Sequence, residues 1–275
     1  MGRSFEDSSF RAFLLSDTLL PRTAALRETL RGWRNADLDI AGAKALAYLP
    51  GGTRLRARVY LLIKPRSNSF VFEAETDPAI MLYLDPTRTR DQLGNTIAHE
   101  LHHIGYAAAC TSSNDSTADP AVATAREWLG AFGEGVAMLA AAGGPDVHPH
   151  AASPAEDRLR WDRDVANSAA DLRRLESFFL DILDHRLTDP DSTRQAAMTF
   201  FGVQGPWYTV GWLMASTVER AGGRPALVET LCDPVRLLRG YNAVAEGPGY
   251  PALPRWSEAL LARLGIQPRP GLRKT

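Results

Sequence analysis

The stretch His99-Glu100-Leu101-His102-His103 decides how this chain is read. It matches the H-E-x-x-H pattern, which needs a helix to work. Residues on an α-helix advance about 100° each, so His99 and His103 fall about 40° apart and one turn along. Two imidazoles at that spacing reach one metal ion. Glu100 lies beside them, where it can take a proton from a water on the metal. The plainer alternative is a core helix with incidental histidines, and the flanking sequence weighs against it.

Working outward, Ala79-Ile80-Met81-Leu82-Tyr83-Leu84-Asp85 reads as a buried strand closed by Asp85-Pro86. Thr89 and Gln92 stand three apart, as in a capping box at a helix start. Gly94, Ile97, Ala98, Leu101 and Ile104 then supply the apolar positions of an interior helix. Catalytic zinc sites usually take three protein ligands and keep one position open. A longer histidine pattern would need histidine at 109 and glycine at 106, where this chain has Ala109 and Tyr106. The third ligand is therefore sought in a downstream glutamate on the next long helix, Ala125 to Ala142. Glu134 sits in Ala131-Phe132-Gly133-Glu134-Gly135-Val136-Ala137, where an ionised carboxylate is costly unless paired or metal-bound. The glycines on either side of it allow a second helix, or a metal, to come close. Glu127, two turns earlier and within about 20° of the same face, is the alternative ligand or a partner. A Glu134–Arg126 pair would be the non-metal account.

A further block, Gly205-Pro206-Trp207-Tyr208-Thr209-Val210-Gly211-Trp212, starts a helix with Pro206 in its first turn. That helix is expected to run to Ala221 and end at Gly222-Gly223. Tyr208, near its start, can donate a phenol O–H to an oxygen gaining negative charge, or it can simply pack in the core. Glu219 and Arg220 read as a surface or domain-joining pair. Gly223-Arg224-Pro225-Ala226-Leu227 follows, and Val235 to Val244 reads as a further helix.

With these blocks in this order, the chain resembles the gluzincin group of zinc metallopeptidases. More narrowly, it is similar to bacterial families of zinc-dependent peptidase type that mostly lack an assigned substrate. The resemblance covers residues 79–245. It implies a zincin-like α+β fold, Zn²⁺ held by His99, His103 and Glu134, Glu100 as general base, and a peptide or protein substrate. Similar enzymes use a tyrosine or histidine beside the metal, the role that Tyr208 would take. Two other functions stay open on the residues alone. One is hydrolysis of a small non-peptide amide; the other is a non-catalytic metal-binding or partner-binding module, against which Glu100 argues.

The remaining sequence is read as mostly helical with a small antiparallel-type sheet. Residues 5–33 suggest two helices broken near Pro21, and Ile40 to Leu49 a third. Arg56 to Ile63 and Ser69 to Ala74 alternate as strands and would form a hairpin around a turn at 64–68, with the 79–85 strand beside it. Exposed on one edge, that last strand could pair with an extended peptide. Glu156 to Leu187 carries a helical stripe of Trp161, Val165, Leu172, Leu175, Phe179 and Leu183. Residues 109–120 and 143–154 read as loops, the second holding His148 and His150, which are taken as surface residues. His102 is read as packing beside the site and His185 as a helix end. The domain expectation is one catalytic unit over 1–270, with lobes at about 1–110 and 111–267, and a disordered tail at 268–275.

Hydrophobic residues make up 45% of the 275, enough for a sizeable core. The 31 basic and 32 acidic residues nearly cancel, giving no bulk attraction to nucleic acid or an acidic membrane. Two cysteines far apart, Cys110 and Cys232, suggest no disulfide and a reducing compartment. With no signal-like N-terminus and no membrane-length apolar run, a cytoplasmic location without membrane partners is expected.

Overall fold

The computed structural model describes residues 7–34, 36–64, 69–72, 74, 76–110, 119–249 and 252–265. The chain opens with α1 (Asp7–Leu14), α2 (Thr23–Arg34) and α3 (Asp39–Leu46). Three strands follow, β1 (Arg58–Leu62), β2 (Phe70–Phe72) and β3 (Ala79–Tyr83). Everything after them is helical: α4 (Arg90–Ala109), α5 (Pro120–Leu129), α6 (Gly133–Ala142), α7 (Ala155–Ala166) and α8 (Ser168–Leu183). Then come α9 (Pro190–Met198), α10 (Pro206–Val228), α11 (Pro234–Ala245) and α12 (Glu258–Arg263).

The fold is α+β, but the sheet is mixed, not antiparallel. Its order is β1-β3-β2, with β1 parallel and β2 antiparallel to β3. The expected β1–β2 hairpin does not form. β3 is the most apolar strand and is buried at Ala79, Ile80 and Leu82, so it takes the centre, where both its edges are hydrogen-bonded. β1 and β2 each leave alternate residues exposed, Tyr60, Phe70 and Phe72 among them, and occupy the edges. β3 is therefore not an edge that a peptide could join. The turn at 65–68, most of the 109–120 loop and the 268–275 tail lie outside the described residues.

α4 begins where the capping box was read. Thr89 Oγ1 accepts from the Gln92 N–H at 3.2 Å, and the Thr89 N–H donates to Gln92 Oε1 at 2.8 Å. Such reciprocal caps are worth about 1 kcal/mol and fix the helix start. Leu93, Ile97, Ala98 and Ile104 face a core shared with Leu26, Trp33, Ile80 and Leu82. A second core, built around Phe132, Leu139, Phe179, Trp207, Val210 and Trp256, fills the helical region. α6 serves both, with Ala141 in the first and Val136, Leu139 and Ala140 in the second. α4 and α6 thus meet where the two cores join.

Two helices differ from the sequence reading. The expected single helix over 125–142 is broken by a 3₁₀ turn at Gly130–Phe132. Glycine lowers helix preference at 130 and 133, and the tighter turn resets the angular phase. Counting 100° per residue from Glu127 to Glu134 therefore fails across it. α10 extends past its expected end, but Gly223, at φ 78°, is non-helical, so the regular part does stop there.

Cys110 and Cys232 are joined in a disulfide, with Cα atoms 5.0 Å apart. The reading of two unpaired thiols is corrected, and the inference to a reducing compartment loses its basis. Sequence separation hid the pair: the two cysteines stand 122 positions apart in the chain. Among the described residues, no helix is long and apolar enough to cross a membrane.

Candidate metal centre

α4 and α6 bring three donor atoms together. His99 Nε2 lies 3.1 Å from Glu134 Oε2, His103 Nε2 lies 3.3 Å from the same oxygen, and the two Nε2 atoms are 3.0 Å apart. All are partly buried, with side chains 14%, 28% and 20% exposed for His99, His103 and Glu134, so solvent still reaches the cluster. Among the described residues no other group of three such donors converges. Glu127 is exposed and outside the cluster, and Arg126 donates to the Leu264 carbonyl rather than to Glu134.

A family model described as "Putative zinc dependent peptidase (DUF5700)" matches residues 17–247. The chain belongs to that family. No curated protein and no solved structure matches it.

Zinc is the cofactor this family description names, and the donor set fits it. Zinc with ligands about 2.0–2.1 Å away in a tetrahedron sets neighbouring donors about 3.3 Å apart. The three separations are close to that edge length. A proton can bridge only one or two sides of such a triangle, whereas a cation among the three satisfies all of them. Two imidazoles and a carboxylate are also the mix that favours zinc over magnesium or calcium.

Without the metal, the charges settle on a proton. Burial works against the imidazolium of His103, but the Glu134 carboxylate outweighs it and raises His103 to about 9. Burial would raise Glu134, yet His103 and then His99 hold its carboxyl well below the usual carboxylate range. Zinc needs the lone pair that this proton occupies. Zinc binding near pH 6 to 7 is therefore expected to release about one proton from the His103–Glu134 pair, a contribution that disappears well above pH 9. Calorimetric titrations in buffers of different ionisation enthalpy measure that number, and a value of zero at pH 7 would contradict the pairing. Zinc affinity should accordingly climb with pH and level off near 9.

Glu100 is buried on α4, close enough for its charge to favour the His103 imidazolium. Tyr208, at the start of α10, lays its ring alongside His99, with centroids 6.3 Å apart and planes 20° apart. His102 points away from the cluster and is buried; its Nε2–H donates to the Tyr48 carbonyl at 3.3 Å. Burial first, then the neighbouring histidines, lower its pKa to about 3, so it is a neutral anchor. His148 meets Asp162, and His150, which is buried rather than on the surface, meets Ser153, both apart from the cluster.

Some supporting residues were not read from the sequence. The Lys44 ammonium donates to Asn95 Oδ1 on α4 at 3.0 Å and to the Ala141 carbonyl on α6 at 2.9 Å. One α3 lysine therefore ties both donor-bearing helices. Glu219 and Arg220 are not a pair: Glu219 is buried, accepting from Tyr48 Oη at 2.9–3.0 Å and from Arg224 Nε at 3.2 Å. Arg220 instead reaches Asp146. Helical spacing placed Glu219 next to Arg220, and only the fold shows that Tyr48 closes over it. The Gly133–Gly135 flank of Glu134 was a usable signal. Gly135 does meet a second helix, at Gly211 and Trp212 of α10.

Proposed function

We propose that this family member is a gluzincin-type zinc metallopeptidase of zincin-like fold that hydrolyses peptide bonds. The observation that carries the proposal is the convergence of His99 Nε2, His103 Nε2 and a Glu134 oxygen within 4.8 Å, with Glu100 next in sequence to the first donor. Zinc held by these three would supply the Lewis acidity that makes water nucleophilic near neutral pH and polarises a carbonyl. Glu100 receives the water proton on a carboxylate oxygen and passes it to the departing amine nitrogen. The Tyr208 phenol donates its O–H to the carbonyl oxygen as that oxygen gains charge. Recognition of an extended substrate by strand addition would fall to β1 or β2, the two sheet edges.

The direct test is metal content after purification without chelator. About one zinc per chain is expected in the native protein, with loss in His103→Ala and Glu134→Ala and retention in Glu127→Ala. Loss in Glu127→Ala with retention in Glu134→Ala would reverse the ligand assignment, and no zinc in the native protein would remove the enzyme reading.

A further inference from the structure

We propose that the Cys110–Cys232 disulfide is a redox-controlled clamp on the metal centre, opened by a dithiol reductant attacking at Cys232. The proposal rests on the zinc reading of the site.

On α4, His99, His103 and Tyr106 fall at positions i, i+4 and i+7, and Cys110, the residue capping the helix, falls at i+11. All four lie within an arc of roughly 60°. The disulfide therefore stands at the end of the same helix face that presents both histidines. Its other half, Cys232, belongs to the turn between α10 and α11.

Up to Tyr106 the helix is packed, with Gly105 against Leu49 and Leu55 and Tyr106 against the helical core, but its last turn offers less. The helix finishes in Ala107-Ala108-Ala109, which have little side chain to bury, and Cys110 leaves it in extended conformation without a left-handed glycine cap. Next to it lies a recess lined by Tyr106, Gly133, Val136, Leu231, Pro234 and Leu237. Its volume is about 20 Å³, room for about one water, so packing there is incomplete. The recess touches both the residue before Glu134 and the turn that carries Cys232. The covalent bond joins the end of α4 to the α10–α11 turn beside this recess.

The bond also links the two halves of the site along the chain. Glu134 and Tyr208 lie inside the loop it closes, and His99 and His103 lie on the helix that ends at Cys110. Metal sites tolerate only small errors in donor spacing, so freeing the end of α4 should loosen the grip on zinc.

Cys232 is exposed, whereas Cys110 is half-buried against the helical core. A thiolate of the reductant attacks Cys232 Sγ, forming a mixed disulfide and releasing Cys110 as thiolate, which takes a proton. The second thiolate of the same reductant attacks its own sulfur in that mixed disulfide, releasing Cys232. The protein gains two electrons and two protons, and the dithiol becomes a cyclic disulfide.

The experiment compares zinc dissociation constants, measured by competition with a chromogenic chelator, for three forms of the full chain. These are the oxidised protein, the same protein reduced with a phosphine, and Cys110→Ser/Cys232→Ser. The double variant also removes the new thiols as zinc donors. A rise of tenfold or more in both altered forms, reversed when the native protein is reoxidised, is the expected result. Equal constants in oxidised and reduced protein, with matching circular dichroism, would overturn the clamp. Should the double variant not fold, the reduced native protein with both thiols blocked by alkylation takes its place. Failure of the oxidised native protein to bind zinc would instead overturn the reading of the site, and the clamp with it.

Discussion

Glu100→Gln should keep about one zinc per chain and lose peptide hydrolysis by about 10²–10⁴-fold or more, the usual contribution of a positioned general base. The separation of the two readouts is the point. Glutamine has nearly the shape of glutamate and takes the same place on α4, so the helix and its capping box are untouched. His99, His103 and Glu134 keep their mutual distances of 3.0–3.3 Å, and the metal stays. What is lost is one group that accepts and returns a proton. Hydrolysis of a peptide library, followed beside metal analysis, reads both. Tyr208→Phe should cost less, about 10²–10³-fold in kcat, with little change in zinc, because a single oxyanion donor is removed. Full activity in Glu100→Gln would send the search for the base to another residue. Loss of zinc in that variant would mean that Glu100 holds the site together rather than working in it.

The metal helix was legible because its signals are local. Capping by Thr89 and Gln92, apolar spacing through Ile97, Ala98 and Ile104, and the histidine spacing all operate within a few turns. Glu134 was legible for a different reason: a carboxylate flanked by glycines in an otherwise apolar run has few stable explanations. The errors came where distant segments compete for one place. A hairpin between β1 and β2 is the local expectation, but β3 has the greater need for burial and takes the centre between them. The Cys110–Cys232 bond and the Tyr48–Glu219–Arg224 group join residues that no periodicity relates. Lys44 gave no signal, since a lysine on a short helix is ordinarily a solvated charge. Glu127 is exposed, and the 3₁₀ turn at Gly130–Phe132 breaks the single helix on which its shared face with Glu134 was counted.

Gly135→Ala is expected to be the most damaging single-methyl change near the site. A Cβ at Gly135 would meet the Trp212 backbone nitrogen and the Gly211 carbonyl carbon, and would lie 2.6 Å from Gly211 Cα. On the facing helix, a Cβ at Gly211 would lie 2.6 Å from the Phe132 carbonyl oxygen. These are backbone atoms of a buried helix crossing, which cannot rotate away as a side chain would. Overpacking of this kind costs about 1–3 kcal/mol, and contact with backbone puts this case at the upper end. For a chain of this length that corresponds to a fall of roughly 6–12 °C in Tm. The displacement should reach the metal as well. Glu134 is the residue before Gly135, and Tyr208 is one turn before Gly211, so parting α6 from α10 moves Glu134 away from Tyr208 and shifts it against the α4 histidines. Gly133→Ala, on the other side of Glu134, is the internal control: nothing lies within 4 Å of its added methyl, and its Tm and zinc content should stay near native values. Thermal unfolding of the two variants beside zinc content therefore tests the crossing directly. A Gly135→Ala protein as stable as Gly133→Ala would mean that α6 and α10 do not approach this closely.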